Sequence, residues 1–230
     1  MGDDTTAMDG RTQPTRESVL ATDRVHVIDD PLAQVHLGRL RDRATQSPEF
    51  GQVGELLAAH TLWSALSDLH LRQDTVAAFD GSPISVARPA ERIAGVVILR
   101  AGMLFSRPFQ ALLPHAPLYQ VGIRRDEETL TPAVYTSNVP QAPGWADRVL
   151  VLDPMVATGG STARAIAEVR RSFQGPIDVV ALVTAPLGAE RVLSDDADVR
   201  IVTTALDIKL NDMGYILPGL GDAGDRLFGT

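Results

Sequence analysis

The sequence predicts an α/β protein in which a mostly parallel sheet is flanked by helices. Five short runs, rich in Leu and β-branched residues, are hydrophobic at nearly every position, which is typical of strands buried on both faces. Segments with helical spacing lie between several of these runs, and alternating strands and helices indicate a parallel sheet. The predicted strands span residues 93–99, 118–123, 149–152, 177–183 and 199–203.

The remaining elements follow from local patterns. Residues 1–22 are polar and lack periodicity, so we predict a flexible tail followed by one domain over 23–230. Pro31 precedes a predicted helix over 32–43. Apolar residues at helical spacing predict further helices over 50–71 and 161–173.

Composition limits the possible partners. The net charge of −8 argues against nucleic acid or an anionic membrane surface as the main partner. The absence of Cys excludes disulfides, thiol nucleophiles and Cys-ligated metals. Lys209 is the single lysine, so a phosphate site must use Arg and backbone N–H groups. No run approaches 18 apolar residues and no leader pattern opens the chain, so we expect a cytoplasmic protein and no membrane partner.

The most informative segment is 149–161, where a predicted buried strand leads through a loop into a helix. Gly159 and Gly160 allow a tight turn that directs N–H groups inward, and the helix start adds the positive end of its dipole. Thr158 and Ser161 add hydroxyl donors, and Asp153 at the strand end is placed to bond ribose hydroxyls. These features indicate a cup for one phosphate group.

Two known phosphate motifs do not match this loop. The lysine of a Walker P-loop is missing, and no G-x-G-x-x-G pattern follows a strand. The alternative interpretation is an ordinary strand-to-helix turn in which Gly, Thr and Ser only cap the helix.

The loop resembles the signature with which type I phosphoribosyltransferases bind 5-phosphoribosyl 1-pyrophosphate (PRPP). Most of that superfamily carries two adjacent acids at the strand end, whereas this chain has the Asp-Pro form found in uracil phosphoribosyltransferases. The resemblance implies that the whole loop binds PRPP, through Asp153, Pro154, Met155, Val156, Ala157, Thr158, Gly159, Gly160 and Ser161.

Two further segments resemble parts of the same family. Residues 97–103 match a segment in which Arg100 is implied to meet the pyrophosphate of PRPP. Residues 122–130 match the start of a flexible arm, which we place at about 124–140 as a two-stranded projection, and Arg125 is implied to contact PRPP. Arg124 departs from the aromatic residue that is usual at its position.

The C-terminal segment 210–230 resembles the uracil-binding tail of the family nearly residue for residue, and we place a base-binding hood at about 207–230. The resemblance implies that Ile216, Gly221, Asp222 and Ala223 contact uracil, and that Asp222 also reaches PRPP. Arg226, the cation candidate for an orotate carboxylate, is assigned instead to a structural ion pair with a nearby Asp.

The resemblance implies a uracil phosphoribosyltransferase of pyrimidine salvage, which converts uracil and PRPP to UMP and pyrophosphate. The implied catalytic residues are Arg100, Arg125, Asp153 and Asp222. Mg²⁺ is implied to be carried in by PRPP, since no dense carboxylate cluster predicts a metal site in the protein.

The resemblance also implies a homodimer or higher homo-oligomer, and it leaves open whether GTP activates the enzyme. Departures from the family lie mainly in the first helices, at Gly51 and at residues 63–65, and they concern subunit contacts more than chemistry. Two alternatives stay open: a non-catalytic regulator of the same fold that senses PRPP or UMP, and a transferase for another base.

Overall fold

A central sheet of eight strands organises the residues that the computed structural model describes, namely 14–125, 131–194 and 196–230. Several helices pack around it. In chain order the strands are β1 (Val25–Val27), β2 (Leu71–Ala77), β3 (Pro83–Pro89), β4 (Ile93–Leu99), β5 (Leu118–Arg125), β6 (Pro132–Ser137), β7 (Arg148–Leu152), β8 (Met155–Val156), β9 (Ile177–Thr184), β10 (Val199–Leu206), β11 (Lys209–Leu210) and β12 (Ile216–Leu217). The helices are α1 (Arg16–Leu20), α2 (Pro31–Arg41), α3 (Ser47–Ala65), α4 (Ser106–Leu112), α5 (Gly160–Val169), α6 (Pro186–Ser194) and α7 (Ala223–Phe228), with a 3₁₀ helix at Ala101–Phe105.

The central sheet is parallel except at one edge. Its order is β1-β10-β9-β7-β4-β5-β6, with β8 added beside β9, and only the β5–β6 pair is antiparallel. All five predicted strands are confirmed, and β4 has the predicted bounds. The parallel direction places the carboxyl ends of β4, β7, β9 and β10 along one edge.

Both faces of this sheet are buried, as the continuous apolar runs predict. The buried apolar residues form two clusters, one with residues of α3 and the other with residues of α5. Alternate residues of one strand belong to different clusters: Val97 packs in the α3 cluster and Val96 in the α5 cluster. The same alternation holds for Leu150 and Val151 in β7. Helices therefore cover the sheet on both sides, in agreement with the predicted fold class.

The N-terminal segment differs from the expected tail within its described part. Residues 16–20 form α1, which Thr15 caps through a hydrogen bond from the Ser18 N–H, and Val19 is buried. Val19 is the one buried side chain of this short helix. A single buried apolar residue produces no periodic pattern, so the sequence did not predict the helix. Residues 1–13 lie outside the described part of the chain.

The described part of the predicted arm is two-stranded, since β5 and β6 pair antiparallel and residues 123–125 continue beyond Gly122, the last β5 residue that pairs with β4. β6 pairs with β5 from Val121 to Arg125 and forms the antiparallel edge of the central sheet, while residues 126–130 lie outside the description. In addition, β2 and β3 form a separate two-stranded sheet, for which the sequence predicted no strand. Most of its residues are exposed, so neither an apolar run nor a strict alternation marks it.

Two predicted helix ends are also displaced. α3 ends at Ala65 although the predicted helix continued to 71, because the chain leaves the helix to enter β2. α5 ends at Val169 rather than 173, and the Arg170 side chain donates to the carbonyls of Phe173 and Gly175 in the turn that follows. No helix among the described residues is long and apolar enough to cross a membrane.

A buried charge cluster holds the amino edge of the sheet, opposite the loops described below. Asp178 in β9 is 2 % exposed and accepts hydrogen bonds from Arg148 Nε at 2.7 Å and Arg200 Nε at 2.5 Å. Both arginines also donate to the Ala65 carbonyl at the end of α3 and to the Asp68 carboxylate. Burial opposes the ionisation of Asp68, but hydrogen bonds from Arg200 and Arg148 lower the pKa of this carboxyl group to about 2.

We expect Asp178→Asn to lower the free energy of unfolding by about 3–5 kcal/mol, because it leaves the buried Arg148 without its main counter-charge. Urea unfolding followed by circular dichroism measures this loss. Glu49→Gln is the matched control, since the Arg39–Glu49 ion pair is about half exposed and exposed pairs are worth about 0–1 kcal/mol. A smaller loss for Asp178→Asn than for Glu49→Gln would contradict the assigned role of the cluster.

Candidate active site

Two loops meet at the carboxyl edge of the sheet, where β4 and β7 end side by side. Arg100 follows β4 and Asp153 follows β7. Gly102 lies so close to the end of β7 that a Cβ there would stand 2.6 Å from the Leu152 carbonyl oxygen. The absence of a side chain at Gly102 therefore lets the two loops approach each other.

Asp153 is a buried carboxylate with a defined orientation. It is 8 % exposed, and its Oδ2 accepts a hydrogen bond from Thr162 Oγ1 at 2.9 Å. Its Oδ1 accepts only a long bond from the Met155 N–H, at 3.5 Å. Burial raises the pKa of Asp153 to about 6, and the hydrogen bonds from Thr162 and Met155 oppose that rise. The pKa of this carboxyl group therefore lies well above its usual range.

The loop after Asp153 leads into α5 as the sequence predicts. Gly159 is the N-cap residue with φ 73°, and a Cβ there would lie 2.6 Å from the Gly188 carbonyl oxygen, so this position requires glycine. No described side chain caps the helix. The N–H groups of the first turn are thus available to an anion, which the helix dipole also favours. Ser161 at this end is exposed.

Arg100 links the loop after β4 to the C-terminal helix. Its Nη2 donates to Asp225 Oδ1 at 3.1 Å, and its guanidinium carbon lies 5.8 Å from the centre of the Phe228 ring. The Arg100 and Asp225 side chains are 58 % and 48 % exposed, so solvent screens this pair. The guanidinium can exchange Asp225 for a more highly charged ligand at small cost.

The C-terminal residues form the hood, which is composed of the β11–β12 hairpin and α7 and shares the core beside α3. Ile216 and Ala223 are buried, whereas Gly221 is exposed with φ 72°. Asp222 is the N-cap of α7, and its Oδ1 accepts from the Asp225 N–H at 2.9 Å. One of its oxygens is therefore already used to hold the helix.

A buried ion pair that the sequence analysis did not identify anchors the hood. Asp207 follows β10 and is 5 % exposed; its Oδ1 accepts from Arg41 of α2 at 2.7 Å. Its Oδ2 accepts from the Gly219 N–H at 2.8 Å. Gly219 has φ 58° and a Cβ there would lie 2.1 Å from the Ile216 carbonyl oxygen. This bend turns the hairpin back towards α7.

Arg226 is structural, as predicted, but its partners differ from the prediction. Among the described contacts it donates to backbone carbonyls of Leu40, Asp42 and Leu220 rather than pairing with an Asp side chain. Its guanidinium carbon also lies 4.2 Å from the centre of the Phe50 ring. Uncapped carbonyls at the end of α2 attract a guanidinium as a carboxylate would, and sequence spacing does not reveal them.

The structure thus brings most of the predicted residues to one region. Arg100, the 153–161 loop and α5 meet at the carboxyl edge, and the Arg100–Asp225 pair connects them to the hood. Arg125 ends β5, the neighbour of β4 in the sheet, but its side chain lies outside the description. No group of three or more His, Asp or Glu side chains among the described residues is arranged to hold a metal ion.

Comparisons with known proteins agree with this arrangement. A family model described as uracil phosphoribosyltransferase matches residues 27–230. Uracil phosphoribosyltransferases of Thermus thermophilus and Shouchella clausii are 39% and 41% identical over 212 and 208 residues, and each match covers 90% of this chain and 99% of the relative. A solved structure of an Aquifex aeolicus protein superposes with a TM-score of 0.82 at 33% identity, covering 90% of this chain and 98% of the other. This chain therefore belongs to the uracil phosphoribosyltransferase family.

Proposed function

We propose that this protein transfers the 5-phosphoribosyl group of PRPP to uracil and releases UMP and pyrophosphate. One observation carries the proposal: a buried carboxylate follows strand β7, and the loop after it leads to an uncapped helix start, with glycine where a side chain would collide. Membership of the family and the names of the relatives support the choice of PRPP and uracil.

PRPP would lie across the carboxyl edge of the sheet. The N–H groups at the start of α5, with the Thr158 and Ser161 hydroxyls, bind its 5-phosphate. Asp153 Oδ1, which has only a long contact to the Met155 N–H, accepts from the ribose hydroxyls. Arg100 and Arg125 bind the pyrophosphate, which we propose enters as its Mg²⁺ complex, so that the ion belongs to the substrate.

The reaction exchanges one bond at C1 of the ribose. N1 of uracil forms a bond to C1 as the bond from C1 to the pyrophosphate oxygen breaks, and that electron pair leaves with the pyrophosphate. The N1 proton passes to solvent or to the departing pyrophosphate in the same overall step. The transition state resembles an oxocarbenium ion, so the arginines act where negative charge grows on the leaving group. Holding both substrates in line supplies much of the rate.

The hood would recognise the base through its backbone. The chain bends at Gly221, where φ is 72°. The backbone N–H and C=O groups of Ile216 and of residues 221–223 would pair with the two carbonyls and the N3–H of uracil. Cytosine presents an amino group where uracil has O4, so a backbone N–H aimed there would lose its acceptor. Such a loss of a buried hydrogen bond rejects an analogue strongly.

We expect Asp153→Asn to lower UMP formation from uracil and PRPP by about 10- to 100-fold, the value of a hydrogen bond to a charged group. The melting temperature at pH 8 should stay the same or rise, because the substitution removes a carboxylate whose burial opposes its ionisation.

Asp198→Asn is the control for that variant, since Asp198 is exposed and follows α6 at the opposite edge of the sheet. It should keep the wild-type rate. Equal rates for Asp153→Asn and the wild type would remove Asp153 from the proposed site.

We expect Arg100→Ala to raise the KM for PRPP and lower kcat, with little change in the urea midpoint because its ion pair is exposed. Arg100 could act by binding pyrophosphate or through its ion pair with Asp225. Asp225→Ala distinguishes these, since it deletes the ion pair but leaves the guanidinium free for pyrophosphate. Steady-state kinetics should show a much smaller loss for Asp225→Ala. Equal losses in the two variants would mean that Arg100 acts through the ion pair and not on the substrate.

A further inference from the structure

Thr162 contacts Asp153 although it lies outside the loop that the sequence analysis assigned to PRPP. It is the third residue of α5 and is 1 % exposed. Its Oγ1 donates to Asp153 Oδ2 at 2.9 Å, and this is the only hydrogen bond that the structure shows for its hydroxyl among the described residues. The hydroxyl is shielded from water, so the carboxylate is its natural partner.

We propose that Thr162 is a positioning residue, whose hydroxyl fixes the orientation of the Asp153 carboxylate and leaves Oδ1 as the acceptor for the hydroxyls of the sugar phosphate. The inference rests on the proposed function only in taking PRPP as the ligand. It assigns to Thr162 no contact with the substrate.

The need for such a residue follows from the side chain of Asp153. The terminal torsion of an aspartate is broad and nearly two-fold, so backbone placement alone does not fix where its oxygens point. The short bond from Thr162 engages Oδ2, whereas the 3.5 Å contact from the Met155 N–H leaves Oδ1 with free acceptor capacity. The asymmetry between the two oxygens is what directs one of them to the ligand.

The same bond also favours the ionised carboxylate. Burial raises the pKa of Asp153 to about 6, and the Thr162 hydroxyl is the larger of the two influences that lower it again. Charged side chains on the surrounding elements are Arg100 after β4, Arg164 on α5, Arg191 on α6 and Asp222 on α7, and none of them contributes to this shift. Removing the hydroxyl should therefore raise the pKa of Asp153 further.

The test compares Thr162→Val, which keeps the shape but removes the hydroxyl, with Thr162→Ser, which restores it. The Asp153 carboxyl is titrated in the full-length protein by ¹³C NMR, with Asp153→Asn used to assign its signal. We expect the Asp153 midpoint to rise by about one pH unit in Thr162→Val, and to stay near the wild-type value in Thr162→Ser.

Kinetics provide the second readout. With the expected shift, the ionised fraction of Asp153 at pH 6 falls about fivefold, so kcat/KM for PRPP should fall at least that much at pH 6 and clearly less at pH 8.5. The phosphate of PRPP also titrates near pH 6, but it does so equally for every variant, so only differences between variants are interpreted.

Thr61→Val is the matched control, because Thr61 is also fully buried in a helix. This substitution removes the hydrogen bonds of Thr61 Oγ1 with the Leu57 carbonyl and with Thr204 Oγ1. It should leave the Asp153 midpoint and the pH profile unchanged. An unchanged Asp153 midpoint in Thr162→Val, or a loss of kcat/KM by one constant factor at every pH, would overturn the proposal.

The two proposals fail in different ways. If the wild type forms no UMP but Thr162→Val still shifts the Asp153 midpoint and weakens PRPP binding, the proposed transferase activity is wrong and the positioning role stands. If the wild type forms UMP and Thr162→Val behaves as the wild type does, the transferase activity stands and the positioning role is wrong.

Discussion

Parallel pairing of strands that are buried on both faces is the constraint on which the rest of this structure depends. Because β4, β7, β9 and β10 run in one direction, every loop that follows them opens at the same edge. Their apolar side chains occupy both faces, and the charged side chains of these strands, Arg148, Asp178 and Arg200, lie at the amino ends. The amino ends carry the Arg148–Asp178–Arg200 cluster, which stabilises the fold, and the carboxyl ends carry the candidate site.

The site itself combines a rigid half with a tethered half. The 153–161 loop is held by the sheet and α5, and its glycines place backbone N–H groups where an anion can reach them. The hood is tied on through Asp207, through Arg226 and through the exposed Arg100–Asp225 pair. The Asp207 contact is buried and Arg226 is bonded to backbone carbonyls. The Arg100–Asp225 pair is screened by solvent, and Arg100 is proposed to bind substrate. Ligand binding can therefore replace that contact without releasing the hood.

The sequence predicted those parts of the fold whose physics is local or strongly periodic. Continuous apolar runs located the strands of the central sheet, and the 149–161 pattern located the loop with its helix. The exposed β2–β3 hairpin carries neither signal, so the sequence predicted no strand there. Residues whose roles depend on distant partners were also missed, since nothing near Asp207 or Thr162 in sequence shows that one meets Arg41 and the other meets Asp153.

The central claim, transfer of a phosphoribosyl group to uracil and not to other bases, is tested most directly by a product assay. The purified protein is incubated with PRPP and Mg²⁺ together with uracil, cytosine, orotate or hypoxanthine, and each nucleotide is separated and quantified. The proposed site predicts UMP from uracil and no nucleotide from the other three bases. Nucleotide from another base at a comparable rate would contradict the assignment of the hood, and no product from any base, in a protein that still binds PRPP or UMP, would contradict catalysis itself.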